Sequence, residues 1–261
     1  MKDKMRKPII AGNWKMFKKI DEAIEFASGL KRELFQLDQE LIDIVICPPY
    51  TALSEVSEVI YGSNIKLGAQ DAHWEDQGAF TGEVSLPMLK DTGCQYVIIG
   101  HSERRQYFGE TNASVNKKIK AALKNNLIPI FCVGETLKER EANKTFPVLD
   151  DQVKNGLDAI DDAQIAKIVI AYEPVWAIGT GKTATPETAQ EAQEYIRELL
   201  TKMYNKDIAE GIRIQYGGSV KPENIADLML QPDIDGALVG GMSLELNSFV
   251  EILKKTYEVK R

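Results

Sequence analysis

The 261-residue chain has little of what usually announces a site. Its three cysteines, Cys47, Cys94 and Cys132, are odd in number and far apart with no CxxC pair, which points away from a disulfide framework and from a zinc centre. Two histidines, His73 and His101, are too few for most histidine-bound metals. No run approaches the ~18 apolar residues of a membrane span, and the charged start, Met1 to Lys7, has no apolar stretch behind it to make a secretory leader. Positive charge is also short. A formal net charge of −7 argues against nucleic acid or an anionic membrane as partner. An anionic ligand therefore has to be attracted by local donors and dipoles. The Asn-x-Ser/Thr triplets at Asn112 and Asn143 carry no meaning without secretion, and a reduced, cytoplasmic protein is the expectation.

What is present is an ordinary globule: 44% apolar and 27% charged residues, enough to bury a real core. Short Ile- and Val-rich runs recur at Pro8–Ala11, Ile42–Cys47, Ile65–Ala69, Tyr96–Ile99, Leu127–Val133, Lys167–Ala171, Ile212–Tyr216 and Gly236–Val239. They lack polar alternation and so predict strands buried on both faces. Between them lie amphipathic helical patterns. Ile20, Ala23, Ile24, Ala27, Leu30 and Leu34 make one stripe, and Phe249, Ile252 and Leu253 the last. Ala189, Ala192, Ile196, Leu199, Leu200 and Met203 make another, opened by a Thr185 cap with Pro186 at the first helical position. Eight strand-then-helix units predict an α/β fold with a parallel sheet. In a chain of this length a closed (β/α)8 barrel is favoured over an open doubly wound sheet, although pattern alone leaves the second open.

In a barrel, chemistry gathers at the C-terminal ends of the strands. Those ends read Asn13 and Lys15, Gln70, His101, Glu135, Glu173, Gly217-Gly218-Ser219 and Gly240-Gly241, a polar and Gly-rich set. The N-terminal ends are not comparably loaded. Asn13 and Lys15 are two apart, so an extended segment projects an amide and an ammonium from one face, a pair suited to an anion. A lysine alone is most often a surface residue, but this one follows a buried strand. His101 directly precedes a helix opening Ser102-Glu103, where the macrodipole disfavours an added proton; a neutral imidazole can polarise a carbonyl. Glu173 ends a strand at Pro174, beneath the apolar, Gly-hinged stretch Val175 to Gly181. Burial under such a lid is expected to raise its pKa and strengthen it as a base. Glycines after the seventh and eighth strands let backbone N–H groups approach phosphate oxygens.

Two motif matches in Gly179-Thr180-Gly181-Lys182-Thr183 are dismissed. The first glycine of a P-loop falls on Trp176, and the GxGxxA match neither follows its strand directly nor opens a helix. The segment Asp71 to Glu83 is long for a strand–helix loop and carries His73, Trp74 and Phe80, which predicts docking onto a partner subunit.

Four stretches, Ala11-Gly12-Asn13-Trp14-Lys15-Met16, Gly100-His101-Ser102-Glu103-Arg104-Arg105, Ala171 to Gly181 and Tyr216-Gly217-Gly218-Ser219-Val220, closely resemble the triosephosphate isomerase family, in family order from about Lys7 to the last helix. The resemblance implies a single (β/α)8 TIM-barrel domain over residues 1–261 and interconversion of dihydroxyacetone phosphate and D-glyceraldehyde 3-phosphate, in glycolysis and gluconeogenesis. Glu173 would move the proton through an enediolate. A neutral His101 would polarise the carbonyl with help from Asn13 and Lys15, and Glu103 would partner Lys15. This family is itself the standard illustration of a glutamate base beside a neutral histidine under a closing loop. Gly179, Ser219, Gly240 and Gly241 would hold the phosphate through main-chain groups. Trp176, Ala177, Ile178, Gly179, Thr180, Gly181 and Lys182 would form the lid, with Tyr216 and Ser219 bonding it when shut. No cofactor or metal is implied, and the partner is a second copy, joined through Gln70, Asp71, Thr81 and Glu83.

Three positions depart from the family pattern: Asp71 for the usual Asn, Met242 for Ala, and Phe17 where Asn is common. Asp71 would place a negative charge near the interface and Met242 would crowd the phosphate rim. The competing readings are a Schiff-base aldolase on another phosphate-binding barrel, using Lys15 or Lys182, and a catalytically silent binding barrel. Borohydride trapping marks the first, and the intact set of Asn13, Lys15, His101 and Glu173 speaks against the second.

Overall fold

The computed structural model describes residues 6–35, 40–178 and 183–261. Its eight strands are β1 (Ile9–Asn13), β2 (Asp43–Cys47), β3 (Ile65–Ala69), β4 (Tyr96–Ile99), β5 (Ile128–Val133), β6 (Val169–Tyr172), β7 (Arg213–Tyr216) and β8 (Gly236–Val239). All pair in parallel in chain order and the sheet closes: Ile9 registers with Asp43 of β2 on one side and Gly236 of β8 on the other. The open-sheet alternative is thereby removed.

The strands read as unbroken apolar runs because each face meets a different core. Ile9, Ala11, Val45, Cys47, Ile98, Ile130, Cys132, Val169, Ala171 and Leu238 pack inside the barrel. Their neighbours Ile10, Ile44, Ile46, Val97, Ile99, Phe131, Ile170 and Ile214 pack outward among the helices. The predicted stripes supply that outer layer. The helix Ile20–Glu33 buries Ala23, Phe26, Ala27 and Leu30, while Ile20 itself stays exposed at the helix start. Thr185 Oγ1 accepts from Thr188 N (3.2 Å) at the head of the helix Pro186–Met203, as its cap-and-proline signal predicts. The last helix, Leu246–Lys260, buries Phe249, Ile252 and Leu253.

The N-terminal end of the barrel differs from expectation. Asp43 is bonded by Lys7 (2.8 Å) and Arg213 (2.5 Å). Asp235 is bonded by Arg6 Nε (2.6 Å) and Arg197 Nη2 (2.8 Å), and Arg197 also bonds Asp233. These partners are far apart in sequence, so linear pattern gives no sign of them. Among the described residues no helix is long and apolar enough to cross a membrane.

Candidate active site

The C-terminal ends of the strands surround a cavity of about 360 Å³. Asn13, Lys15, His101, Glu173, Ile178, Ser219, Gly240 and Gly241, all expected in a site or its lid, line it together. Gly179, Thr180, Gly181 and Lys182 lie outside the described residues.

Lys15 reaches this cavity by a different route from the extended one its spacing suggests. β1 ends at Asn13, and Lys15 turns with φ +52°, a left-handed conformation uncommon for a side chain with a Cβ. The turn is held on both sides. Asn13 Oδ1 accepts from Lys15 N (3.0 Å), and Gln70 Nε2 donates to Lys15 O (2.8 Å) and to Cys47 O (2.9 Å). Strain of this kind persists where the surroundings over-determine it. The Lys15 ammonium meets Glu103 Oε1 at 2.6 Å. Gln70 was expected at a subunit interface; its amide faces the Lys15 turn.

His101 caps the helix Ser102–Phe108, its Nδ1 accepting from Glu103 N (3.3 Å). An accepting Nδ1 puts the proton of a neutral ring on Nε2, which lies 3.0 Å from Glu173 Oε1. The other oxygen of Glu173 accepts from Ser102 N (3.0 Å). Both side chains are buried. Burial pushes the Glu173 carboxyl up, but the His101 ring and the Ser102 N–H outweigh it and hold the carboxyl below its ordinary value. Burial likewise depresses His101, and the adjacent carboxylate carries it to a net rise. The expectation of a raised Glu173 therefore does not describe this arrangement. Desolvation acts as foreseen, but local donors, unseen in sequence, exceed it.

Backbone space at Glu173 explains two glycines whose role sequence left open. A Cβ on Gly134 would sit 1.8 Å from the Glu173 carbonyl oxygen, and one on Gly217 would sit 2.8 Å from Glu173 Cγ. The chain holds Glu173 between those neighbours through Glu173 N to Val133 O and Gly217 N to Tyr172 O, both 2.7 Å.

Glu135 carries a function that sequence reading did not assign. Fully buried, it accepts from the Tyr172 hydroxyl (3.1 and 3.2 Å), Trp176 Nε1 (2.9 Å) and Arg140 Nη1 (3.0 Å). The Arg140 guanidinium also covers the Trp176 ring at 4.5 Å. The start of the expected lid is thus anchored to the end of β5. At its far side, the buried Tyr216 hydroxyl makes no hydrogen bond among the described residues and faces the backbone of Ala184; burial pushes it up to about 12.

The long segment after β3 docks first on its own chain. His73 lies between Trp74 and Phe80, each 4.3 Å away, and Asp76 bonds Lys124 (2.7 Å). Thr81 and Glu83 stand exposed at its tip. Asp71, expected to place a negative charge near the interface, is enclosed by cations of its own chain. Asp71 is buried and bonded by Lys118 (2.7 Å) and Arg104 Nε (2.8 Å), and both cations also bind Glu110. Burial first, then the Glu110 charge, holds its carboxyl up at about 6 against the pull of Lys118.

No group of three or more His, Cys, Asp or Glu side chains placed to hold a metal occurs among the described residues. Comparison with known proteins gives a consistent result. A family model described as triosephosphate isomerase matches residues 8–256. A triosephosphate isomerase of Moorella thermoacetica is 59% identical over 254 residues, covering 95% of this chain and 98% of its own length. Those of Geobacter metallireducens (60% over 251 residues, 95% and 98%) and Endomicrobium trichonymphae (57% over 250 residues, 96% and 99%) are similar to the same extent. With nearly the whole chain matched at that identity, the protein belongs to the triosephosphate isomerase family.

Proposed function

We propose that the protein interconverts dihydroxyacetone phosphate and D-glyceraldehyde 3-phosphate, acting in glycolysis and gluconeogenesis in the cytoplasm. The observation that carries this reading is the pairing of Glu173 with His101 Nε2 at 3.0 Å inside a cavity that also presents Lys15 and Asn13. Glu173 is the base. It leaves its hydrogen bonds to His101 and Ser102, takes a proton from the carbon beside the carbonyl, and returns it to the neighbouring carbon. Its departure frees His101 Nε2–H to donate to the substrate oxygen. With the carboxylate charge moved away, burial and the Glu103 N–H at Nδ1 both favour the neutral ring. Lys15 and Asn13 stabilise the enediolate oxygens, while Glu103 positions Lys15.

The phosphate rests against main-chain groups of Gly179, Ser219, Gly240 and Gly241. Residues 176–182 close over it, with Tyr216 and Ser219 receiving the lid. Closure excludes the water in which an enediolate expels its phosphate. The Lys15 ammonium, engaged by Glu103, is placed to hold an anion rather than to attack as a free amine, which disfavours the Schiff-base reading. A second copy associates through the segment around Gln70, Asp71, Thr81 and Glu83, near which Met16 and Met88 are 94% and 56% exposed.

A coupled assay for glyceraldehyde 3-phosphate formation, run with excess chelator, tests the activity. Rapid turnover is expected. A folded protein that turns nothing over rejects the proposal in favour of a binding barrel.

A further inference from the structure

The cavity extends beyond the groups used so far. At about 360 Å³ it has room for roughly a dozen water molecules at ~30 Å³ each, whereas a triose phosphate has only about ten non-hydrogen atoms, packed more closely than water. Where β4 and β6 end, the lining is polar, with His101 and Glu173. The segments that follow the neighbouring strands β7, β8 and β1 add a shoulder of Phe17, Val220, Met242 and Leu244, together with Lys15 and the Gly240-Gly241 pair. Phe17 is 56% exposed, and Met242 and Leu244 are half-buried against the core. The shoulder is firmly built. Lys18 Nζ donates to Leu244 O (2.8 Å), which ties the segment after β1 to the segment after β8, and the buried Ser243 hydroxyl bonds Gly240 O (2.7 Å). An exposed phenylalanine and a methionine at a cavity wall are apolar surface awaiting cover.

Charge selects what can cover it. Glu173, after β6, is the only carboxylate among the described lining residues, and Lys221 makes no ion pair among those residues. An anionic head with an apolar body fits this distribution, and a neutral or cationic ligand does not.

Resting on the isomerase reading, we infer that Phe17, Val220, Met242 and Leu244 form a second compartment for the organic part of an aryl or alkyl phosphate monoester. Its phosphate lies against Ser219, Gly240 and Gly241 with Lys15. Such a compound competes with the triose but offers no carbonyl to Glu173, so it binds without reacting.

Calorimetry on the full chain with methyl phosphate and benzyl phosphate tests the inference. Benzyl phosphate is expected to bind at least about tenfold more tightly, since its ring removes apolar surface from water. It is expected to inhibit turnover competitively. Phe17→Ala and Met242→Ala are each expected to cut the ratio of the two affinities by about threefold or more. Equal affinities in the wild-type chain overturn the inference, and a shoulder already covered by a second copy gives that result. A ratio unchanged in both variants overturns it as well. Methyl phosphate that fails to bind at all removes the phosphate cradle itself, and with it the reading on which the compartment rests.

Discussion

Charged side chains gather at both ends of the barrel and are used in opposite ways. At the N-terminal end the clustered charges are answered by protein: Asp43 by Lys7 and Arg213, Asp235 by Arg6 and Arg197, and Arg197 by two carboxylates and the carbonyls of Ala209 (2.6 Å) and Ile212 (2.9 Å). At the C-terminal end one carboxylate has provisional partners. Glu173 is held by a ring nitrogen and one backbone N–H, and it lines a cavity into which it can turn. Glu135 shows the contrast at close range. It is a buried strand-end glutamate like Glu173, yet its oxygens are taken by Tyr172, Trp176 and Arg140 and it does not line the cavity. Burial makes a carboxylate costly wherever it occurs. Access to a ligand, with donors that can be released, is what makes one of them a base.

If the ends differ in this way, their substitutions separate into effects on rate and effects on stability. The largest effect is expected at Glu173→Gln, which keeps the shape and removes the base. Turnover falls by about 10³–10⁴-fold while a phosphate-bearing inhibitor binds nearly as before. An unimpaired variant would take Glu173 out of the mechanism. At the opposite end, Arg197→Ala takes a buried guanidinium from half-buried Asp233 and buried Asp235, leaves Asp235 to Arg6, and lowers the unfolding free energy by about 3 kcal/mol in urea. Turnover per folded molecule stays the same, and a selective loss of rate would break the comparison.

Lys15→Ala comes next. Loss of a charged hydrogen-bond donor weakens a phosphate-bearing inhibitor by about 10–100-fold in calorimetry. Unchanged binding refutes the anion role.

The smallest effect sharpens the comparison at Asp71, in a buried charge cluster just beyond the C-terminal end of β3. Its carboxyl is held near pH 6 in the fold, against about 4 in the unfolded chain, so between those values the folded state binds the extra proton. Its contribution therefore falls as pH rises from about 4 to 6 and stays low above. Asp71→Asn removes that fall, and the stability of the variant relative to wild type rises by about 1–3 kcal/mol between pH 4 and pH 8. Parallel stability–pH curves would sink the argument. Because Asp71 is neutralised within its own chain, sedimentation is expected to show equal association for the two forms.

Much of this was legible in the residues because strand runs, helix stripes and caps are local. Eight apolar runs without alternation required two cores, and Thr185-Pro186 required a helix start. The polar residues at successive strand ends pointed to one mouth, since parallel strands bring their C-terminal ends together. Asn13, Lys15, His101, Glu173, Ser219 and the Gly240-Gly241 pair meet there.

What sequence left undecided depended on which distant groups meet. Lys15 was placed in the site, but its left-handed turn rests on Gln70, 55 residues away. Glu173 was named as a base, but the direction of its pKa rests on His101 and on Ser102, 71 residues away. Asp71 reads in sequence as a negative charge near the interface, but Lys118, 47 residues away, and Arg104 close around it. Closure of the barrel itself was of this kind, settled only by the registry of β1 with β8. Periodicity is set by each residue and its near neighbours, so the chain alone determined elements, core faces and the chemistry on offer. Electrostatics and backbone strain are set by whatever the fold brings within a few ångströms, and those only the tertiary structure decided.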